Sequence, residues 1–234
     1  MIDRPLILLG APGSGKGTLT RILTRIWPIP AIATGALLWK KAEGDGALAV
    51  KLRAGMASGE LVSDDLVNQI VAGRLAEPDC YRGFVLDGYP RNRSQAQYLD
   101  KLVERSAMPT PVVIELVVSP SIALDRLMAR LLCPACGAVY NLRDHLPAHP
   151  GICDHDGMVL LRRSDDKEEV VINRLAMYEQ AIVPLRAYCQ SHWDYHRIDG
   201  EQPPGNLLEA VEDVFLQRAG VFPGATLPAV GLNL

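Results

Sequence analysis

Short apolar runs recur along the chain, and longer mixed stretches separate them. Residues 6–9, 84–87, 111–118 and 195–198 read as strands, and 31–33 is a shorter apolar piece. The run at 6–9 and the run ending in Asp87 have the continuous character of strands buried on both faces. Helical patterns fill 17–25, 36–41, 47–56, 94–105, 120–131, 165–189 and 207–217, and another helix opens at 60–65. Ser63 is its expected cap, with Asp64 and Asp65 suited to the first turn; Thr34 is the expected cap of the helix that follows it. Pro184 is expected to kink or break the helix in which it lies. Strands alternating with helices predict an α/β fold, a parallel sheet flanked by helices on both faces. Residues 133–161 break the pattern as a loop-rich segment. Residues 219–234 are expected to be disordered.

The turn after the first run carries the first candidate chemistry. Gly10-Ala11-Pro12-Gly13-Ser14-Gly15-Lys16 follows a strand and opens a helix, the context that a phosphate-binding loop requires. Glycines let backbone N–H groups approach a polyphosphate, and the helix adds the positive end of its dipole. Lys16 supplies a mobile point charge. Gly17 stands where Ser or Thr commonly follows the lysine, and the hydroxyl arrives one place later, at Thr18. Direct coordination of Mg²⁺ by that hydroxyl is therefore not expected. Asp87 ends a strand at the sheet edge where α/β proteins place their chemistry. It is expected near the phosphates, holding Mg²⁺ through water. Arg126 and Arg130, four apart in the predicted helix 120–131, are expected to share a face.

Charge and cysteine usage narrow the picture. The 234 residues carry a net charge of −3. No broad basic field exists for nucleic acid, and no apolar run is long enough for a membrane. The first strand begins almost at residue 1, which leaves no room for a signal peptide, so a cytoplasmic setting is expected. Three of the five cysteines fall in the loop-rich segment, as Cys133-Pro-Ala-Cys136 and Cys153-Asp-His-Asp156. That spacing in a reducing compartment points to structural zinc. Asp156 keeps the two-residue spacing for a fourth ligand; Asp154 and His155 are nearby alternatives, and His149 and His145 more remote ones. Cys80 and Cys189 read as ordinary small apolar residues.

These residues resemble the adenylate kinases. The motifs that carry the resemblance are residues 10–18, Thr34-Gly35, Glu60-Leu61-Val62, Asp87-Gly88-Tyr89-Pro90-Arg91 with Gln95, Asp125-Arg126 with Arg130, and Arg163-Ser164-Asp165-Asp166 with Arg174. The cysteine segment is similar to the zinc-bearing lid of the family's long, mostly bacterial form. The resemblance implies a monomer in which ATP gives its terminal phosphoryl group to AMP, with Mg²⁺. It implies a core of residues 1–32, 63–130 and 166–218, an AMP-binding lobe at 33–62 and a lid at 131–165. By analogy, ATP would meet Gly13, Ser14, Gly15, Lys16, Gly17, Thr18, Arg130, Val139, Tyr140 and Gln202. AMP would meet Thr34, Glu60, Leu61, Val62, Gly88, Tyr89, Pro90, Arg91, Gln95, Arg163 and Arg174. Lys16, Asp87, Arg91, Arg126, Arg130, Arg163 and Arg174 would serve the transfer itself. The lid metal would be held by Cys133, Cys136, Cys153 and Asp156.

One position departs from the family pattern. After Thr-Gly these kinases normally read Asp-Met-Leu-Arg, and this chain reads Ala36-Leu37-Leu38-Trp39. The family arginine at the Trp39 position contacts the AMP phosphate. Losing one charge-assisted contact weakens binding by roughly 1.5–3 kcal/mol. Lys40 or Lys41 could replace it in part, although both are rotated off the Trp39 face of the helix. The alternative readings are another nucleoside monophosphate as acceptor, or a weakly active nucleotide-binding paralogue.

Overall fold

The computed structural model describes residues 4–46, 49, 50, 52, 53, 62–163 and 166–218. Its main sheet is built from β1 (Pro5–Gly10), β2 (Ala31–Ala33), β3 (Phe84–Asp87), β4 (Val112–Val117) and β7 (Asp194–Asp199). All are parallel, in the order β2-β3-β1-β4-β7. The central strand pairs Leu6 with Val85 on one side and Val112 on the other. The helices are α1 (Lys16–Ile26), α2 (Thr34–Ala42), α3 (Asp64–Leu75), α4 (Arg93–Arg105), α5 (Pro120–Met128), α6 (Glu168–His192) and α7 (Pro204–Arg218). A separate antiparallel pair, β5 (Arg130–Leu132) and β6 (Val139–Asn141), lies between α5 and α6 in the chain.

Strand alternation divides the core in two. Ile7, Leu9, Phe84, Leu86 and Val113 pack with α3, α4 and the second half of α6. Leu6, Leu8, Val85, Val112 and Ile114 pack with α1 and α7. Because the strands are buried on both faces, each reads as an unbroken apolar run. Parallel strands also deliver every strand-to-helix turn to one sheet edge. The loop after β1, Thr34 after β2, Gly88 after β3 and Gly200 after β7 therefore gather there.

Three expectations need correction. Thr34 is the first residue of α2 instead of its cap, and its hydroxyl donates to the Asp87 and Gly88 carbonyls at 3.3 and 2.9 Å. The predicted helix 120–131 stops at Met128. The Ala129 and Arg126 carbonyls near its end accept from Leu142 N–H (2.9 Å) and Asn141 Nδ2 (3.0 Å), so the returning β6 strand satisfies them. Arg130 thus enters β5 and does not share a helix face with Arg126. Finally, Pro184 does not break its helix, since α6 continues through it as one 25-residue element; the loop-rich segment includes the short strand β6. Ser63 does occupy the cap position of α3, without a side-chain capping bond. The expected 47–56 helix falls largely outside the described residues, as do Glu60, Leu61 and residues 219–234. Among the described residues, no helix is long and apolar enough to cross a membrane.

Candidate functional site

The loop after β1 is shaped by close backbone approach. Gly13 has φ +84°, and a Cβ there would sit 2.6 Å from the Ala123 carbonyl oxygen of α5. Gly15 caps α1 in the left-handed region at φ 97°. Lys16 curls back over this loop, its Nζ donating to Gly10 O (2.7 Å), Ala11 O (2.9 Å) and Ser14 Oγ (3.3 Å). Burial lowers its pKa from 10.5 to about 8; Asp87 opposes that shift, while Arg91, Arg174 and Arg130 add to it.

Asp87 faces the loop from the end of β3. Burial raises its pKa even though Lys16 and Arg91 pull the other way. A Cβ on Gly17 would be 3.7 Å from Asp87 Oδ2, so at this position α1 presents backbone to the carboxylate. An under-solvated carboxylate beside a phosphate loop fits a site for Mg²⁺ held through water. Arg91 donates from Nε to Gly88 O at 2.9 Å, and burial lowers its pKa, with Arg174 adding to the effect.

Asp166 organises two of the cations and was not among the site residues expected from sequence. Its carboxylate oxygens lie 2.7 Å from Arg130 Nε and 2.5 Å from Arg130 Nη2, and 3.7 Å from Arg174 Nη1. The Arg163 carbonyl accepts the Asp166 N–H at 3.1 Å, which ties that arginine to the same turn. Lys16, Asp87, Arg91, Arg130 and Arg174 are thus brought together. Arg126 is turned elsewhere, donating to Gly200 O (2.7 Å) and Glu201 O (3.4 Å), next to Gln202.

A second polar network lies beyond Arg91. Gln95 is 4% exposed; its Oε1 accepts from Arg91 N–H (2.7 Å) and its Nε2 donates to Asp64 Oδ1 (2.6 Å). Asn92 caps α4, accepting Gln95 N–H at Oδ1 (2.9 Å) and donating from Nδ2 to Asp64 Oδ2 (2.9 Å). Tyr89 is fully buried and donates to Asn68 Oδ1 (2.6 Å), so its side chain supports the Gly88–Arg91 turn from below. Pro90 is buried beside it, and Val62 packs against the same core cluster. Trp39 lies in α2, with Lys40 and Lys41 exposed after it.

The cysteine segment folds as two matching knuckles. Gly137 and Gly157 both have φ 72°, one place after the second donor of each pair. Their N–H groups donate to Cys133 O (3.0 Å) and Cys153 O (2.9 Å), and the Cys133 and Cys153 N–H groups both donate at 2.8 Å, to Ala138 O and Met158 O. Ala138 N–H reaches the Cys136 sulfur, and Met158 N–H reaches Asp156 Oδ1 at 3.0 Å. Asp156 therefore occupies the position a fourth cysteine would take. The donor atoms of Cys133, Cys136, Cys153 and Asp156 all lie within 4.8 Å of one another. Tetrahedral zinc–thiolate geometry needs donors about 3.7 Å apart, so this group fits a closed metal site. Asp154 instead accepts from Ala148 N–H at 2.9 Å, and His145 stacks on Tyr140 with centroids 5.3 Å apart. Tyr140 is buried in the knuckle core, its hydroxyl 3.6 Å from Cys153 Sγ; neighbouring Val139 is half-buried. Cys80 and Cys189 are fully buried apart from this group.

Residues 8–193 match the family model described as adenylate kinase. The adenylate kinase of Trichlorobacter lovleyi is 44% identical over 186 residues, which cover 80% of this chain and 87% of that protein. That of Nitrosococcus oceani is 41% identical over 83% of this chain and 90% of its own length. That of Pseudothermotoga lettingae is 38% identical over 88% of this chain and 95% of its own length.

Proposed function

The chain belongs to the adenylate kinase family, and on that footing we propose how its residues move the terminal phosphoryl group of ATP onto AMP to give two ADP. The observation that carries the reading is the grouping of Lys16 with Arg91, Arg130 and Arg174 around the glycine loop and Asp87. Phosphoryl transfer asks little covalent chemistry of a protein. It needs alignment and positive charge spread over the transferring oxygens. Lys16 and the loop amides of Gly13, Ser14, Gly15, Gly17 and Thr18 cradle the ATP phosphates. Arg91, Arg163 and Arg174 receive the acceptor phosphate and, with Arg130, neutralise the group in flight. Arg126 joins Gln202 on the ATP side, which suits its turn toward Gly200.

Thr34, residues 60–62, the Gly88–Arg91 turn and Gln95 serve the AMP side, within a lobe at 33–62. Asp87 would hold through water the Mg²⁺ that travels with ATP, and that ion when bound neutralises phosphate charge. Cys133, Cys136, Cys153 and Asp156 would hold a structural zinc ion, which ties together a lid at 131–165. Closure of such a lid excludes water, a competing phosphoryl acceptor. The family resemblance implies a monomer, and five unpaired cysteines suit the cytoplasm.

Trp39 favours a second reading, a different acceptor. Initial rates of ADP formation from ATP–Mg²⁺ with AMP, CMP, UMP or GMP separate the two. Turnover with AMP far above the others is expected. Preference for another monophosphate would reassign the acceptor, and no turnover with any would leave a nucleotide-binding paralogue.

A further inference from the structure

We propose that Asp64 is a positioning residue that sets acceptor-base specificity by fixing which way round the Gln95 amide points. The proposal rests on the reading that Gln95 meets the acceptor base. An amide side chain carries a donor and an acceptor of similar shape, so its direction must be dictated by its surroundings. Here two backbone donors begin the network and one carboxylate ends it. Arg91 N–H donates to Gln95 Oε1 at 2.7 Å, and Gln95 N–H donates to Asn92 Oδ1 at 2.9 Å. Both amide nitrogens then point at Asp64: Gln95 Nε2 at 2.6 Å and Asn92 Nδ2 at 2.9 Å. A carboxylate offers acceptors only, and a backbone N–H offers a donor only. Reversing Gln95 would set oxygen against carboxylate oxygen and N–H against N–H, in a side chain that is 4% exposed.

The fixed amide retains one free N–H and one free oxygen lone pair, in a set order. The adenine edge offers an acceptor at N1 beside a donor at the 6-amino group. Hypoxanthine and guanine carry the reverse, a donor at N1 beside an acceptor at O6. A fixed amide that complements the first order opposes the second, and a freely reversing amide would serve both. An asparagine at position 64 supplies one acceptor where two are needed, so one neighbouring amide must turn. Gln95 and Asn92 then compete for that acceptor, so the direction of Gln95 is no longer fixed.

The test compares kcat/KM for AMP and for IMP at saturating ATP–Mg²⁺. For Asp64→Asn the AMP-to-IMP ratio is expected to fall at least tenfold, with KM for ATP unchanged. Should Asp64→Asn fail to fold, Asp64→Ser is measured in its place with the same expectation. Equal losses toward both nucleotides, or an unchanged ratio, would overturn the proposal by showing that Asp64 only supports α3. Gln95→Ala is the control for the underlying reading. Loss of discrimination there, with none lost at position 64, overturns the Asp64 proposal alone. An unchanged ratio in Gln95→Ala overturns both.

Discussion

Asp166 grips Arg130 at two points, 2.7 Å from Nε and 2.5 Å from Nη2, with 1% of the carboxylate side chain exposed. The same carboxylate stands 3.7 Å from Arg174. One buried anion therefore spaces two of the arginines that surround the phosphate loop. Asp166→Ala should cut kcat by about 10²–10³ through lost pre-organisation, with a smaller change in KM. It should also cost about 3 kcal/mol of stability, since it removes the buried partner that Arg130 grips at two points. Steady-state kinetics and urea unfolding of one preparation check both; a wild-type kcat would remove Asp166 from this role.

Lys16 gives a pH signature. With its pKa lowered to about 8, chiefly by burial, the ammonium is charged at pH 7 and half lost near pH 8. Polyphosphate prefers the charged form, so ATP affinity should be flat below pH 7 and fall above pH 8, by up to about tenfold per unit. Binding above pH 8 should take up protons. The sign for folding is the opposite: the unfolded chain holds this proton more tightly, so this group favours the folded state more as pH rises from about 8 toward 10.5. Titration calorimetry in buffers of different ionisation enthalpy measures the proton uptake. An affinity that stays flat to pH 9.5 would contradict this account.

Asp87 exchanges stability for activity. Burial raises its pKa, so its charged form is disfavoured in the folded protein and its contribution to stability declines as pH rises past the ordinary carboxylate range. Asp87→Asn removes that penalty and should leave Tm unchanged or higher. The same change should lower Mg²⁺-dependent turnover by about 10²-fold or more. Melting curves and rates across a Mg²⁺ series test the pair, and a clear fall in Tm would count against it.

Position 39 tests the departure from the family pattern. Trp39→Arg returns a charge-assisted donor at a site in α2. KM for AMP should fall roughly tenfold or more, from a contact worth about 1.5–3 kcal/mol, while KM for ATP stays the same. An unmoved KM would mean that other cations already hold the acceptor phosphate.

The cysteine segment has little core of its own. Its buried cluster is Cys133, Ala138, Tyr140, Cys153 and Leu160, two of them proposed metal donors. Chelation or Cys133→Ser should therefore melt residues 131–162 locally while the five-stranded sheet persists. Hydrogen exchange would report this as lost protection confined to that segment, with a lower kcat/KM for ATP. Unchanged protection after metal removal would show that the segment stands without it.

Legibility in the sequence followed the range of the forces involved. The strand Phe84–Asp87 was readable because a strand buried on both faces is apolar throughout. The phosphate loop was readable because its glycines and lysine act within seven residues. The end of α5 was not, since it is set by Asn141, 15 residues beyond the carbonyl it caps. Three-residue strands such as β5 and β6 are too short to show a period. Asp166 was legible only as a member of the family motif at 163–166, with no role attached, and what it holds appears only with Arg130, 36 residues away. The proposed metal donors lay between these cases: spacing suggested them, and the matching knuckles group Asp156, among its neighbours, with the three cysteines.

The 25-residue α6 has one consequence of a mechanical kind. At about 1.5 Å per residue it is a rod of roughly 37 Å. Its far half is clamped: Arg186 is held by the buried Glu115 at 2.8 and 2.5 Å, and Tyr188 by Asp100 at 2.7 Å. Its near half begins just after Asp166 and carries Arg174. Its near half is seated as well, Val171 and Leu175 packing against Ala123 and Leu127 of α5. Arg174 is therefore carried on the same stiff beam as Arg186, and its position is referred back to the sheet through Glu115.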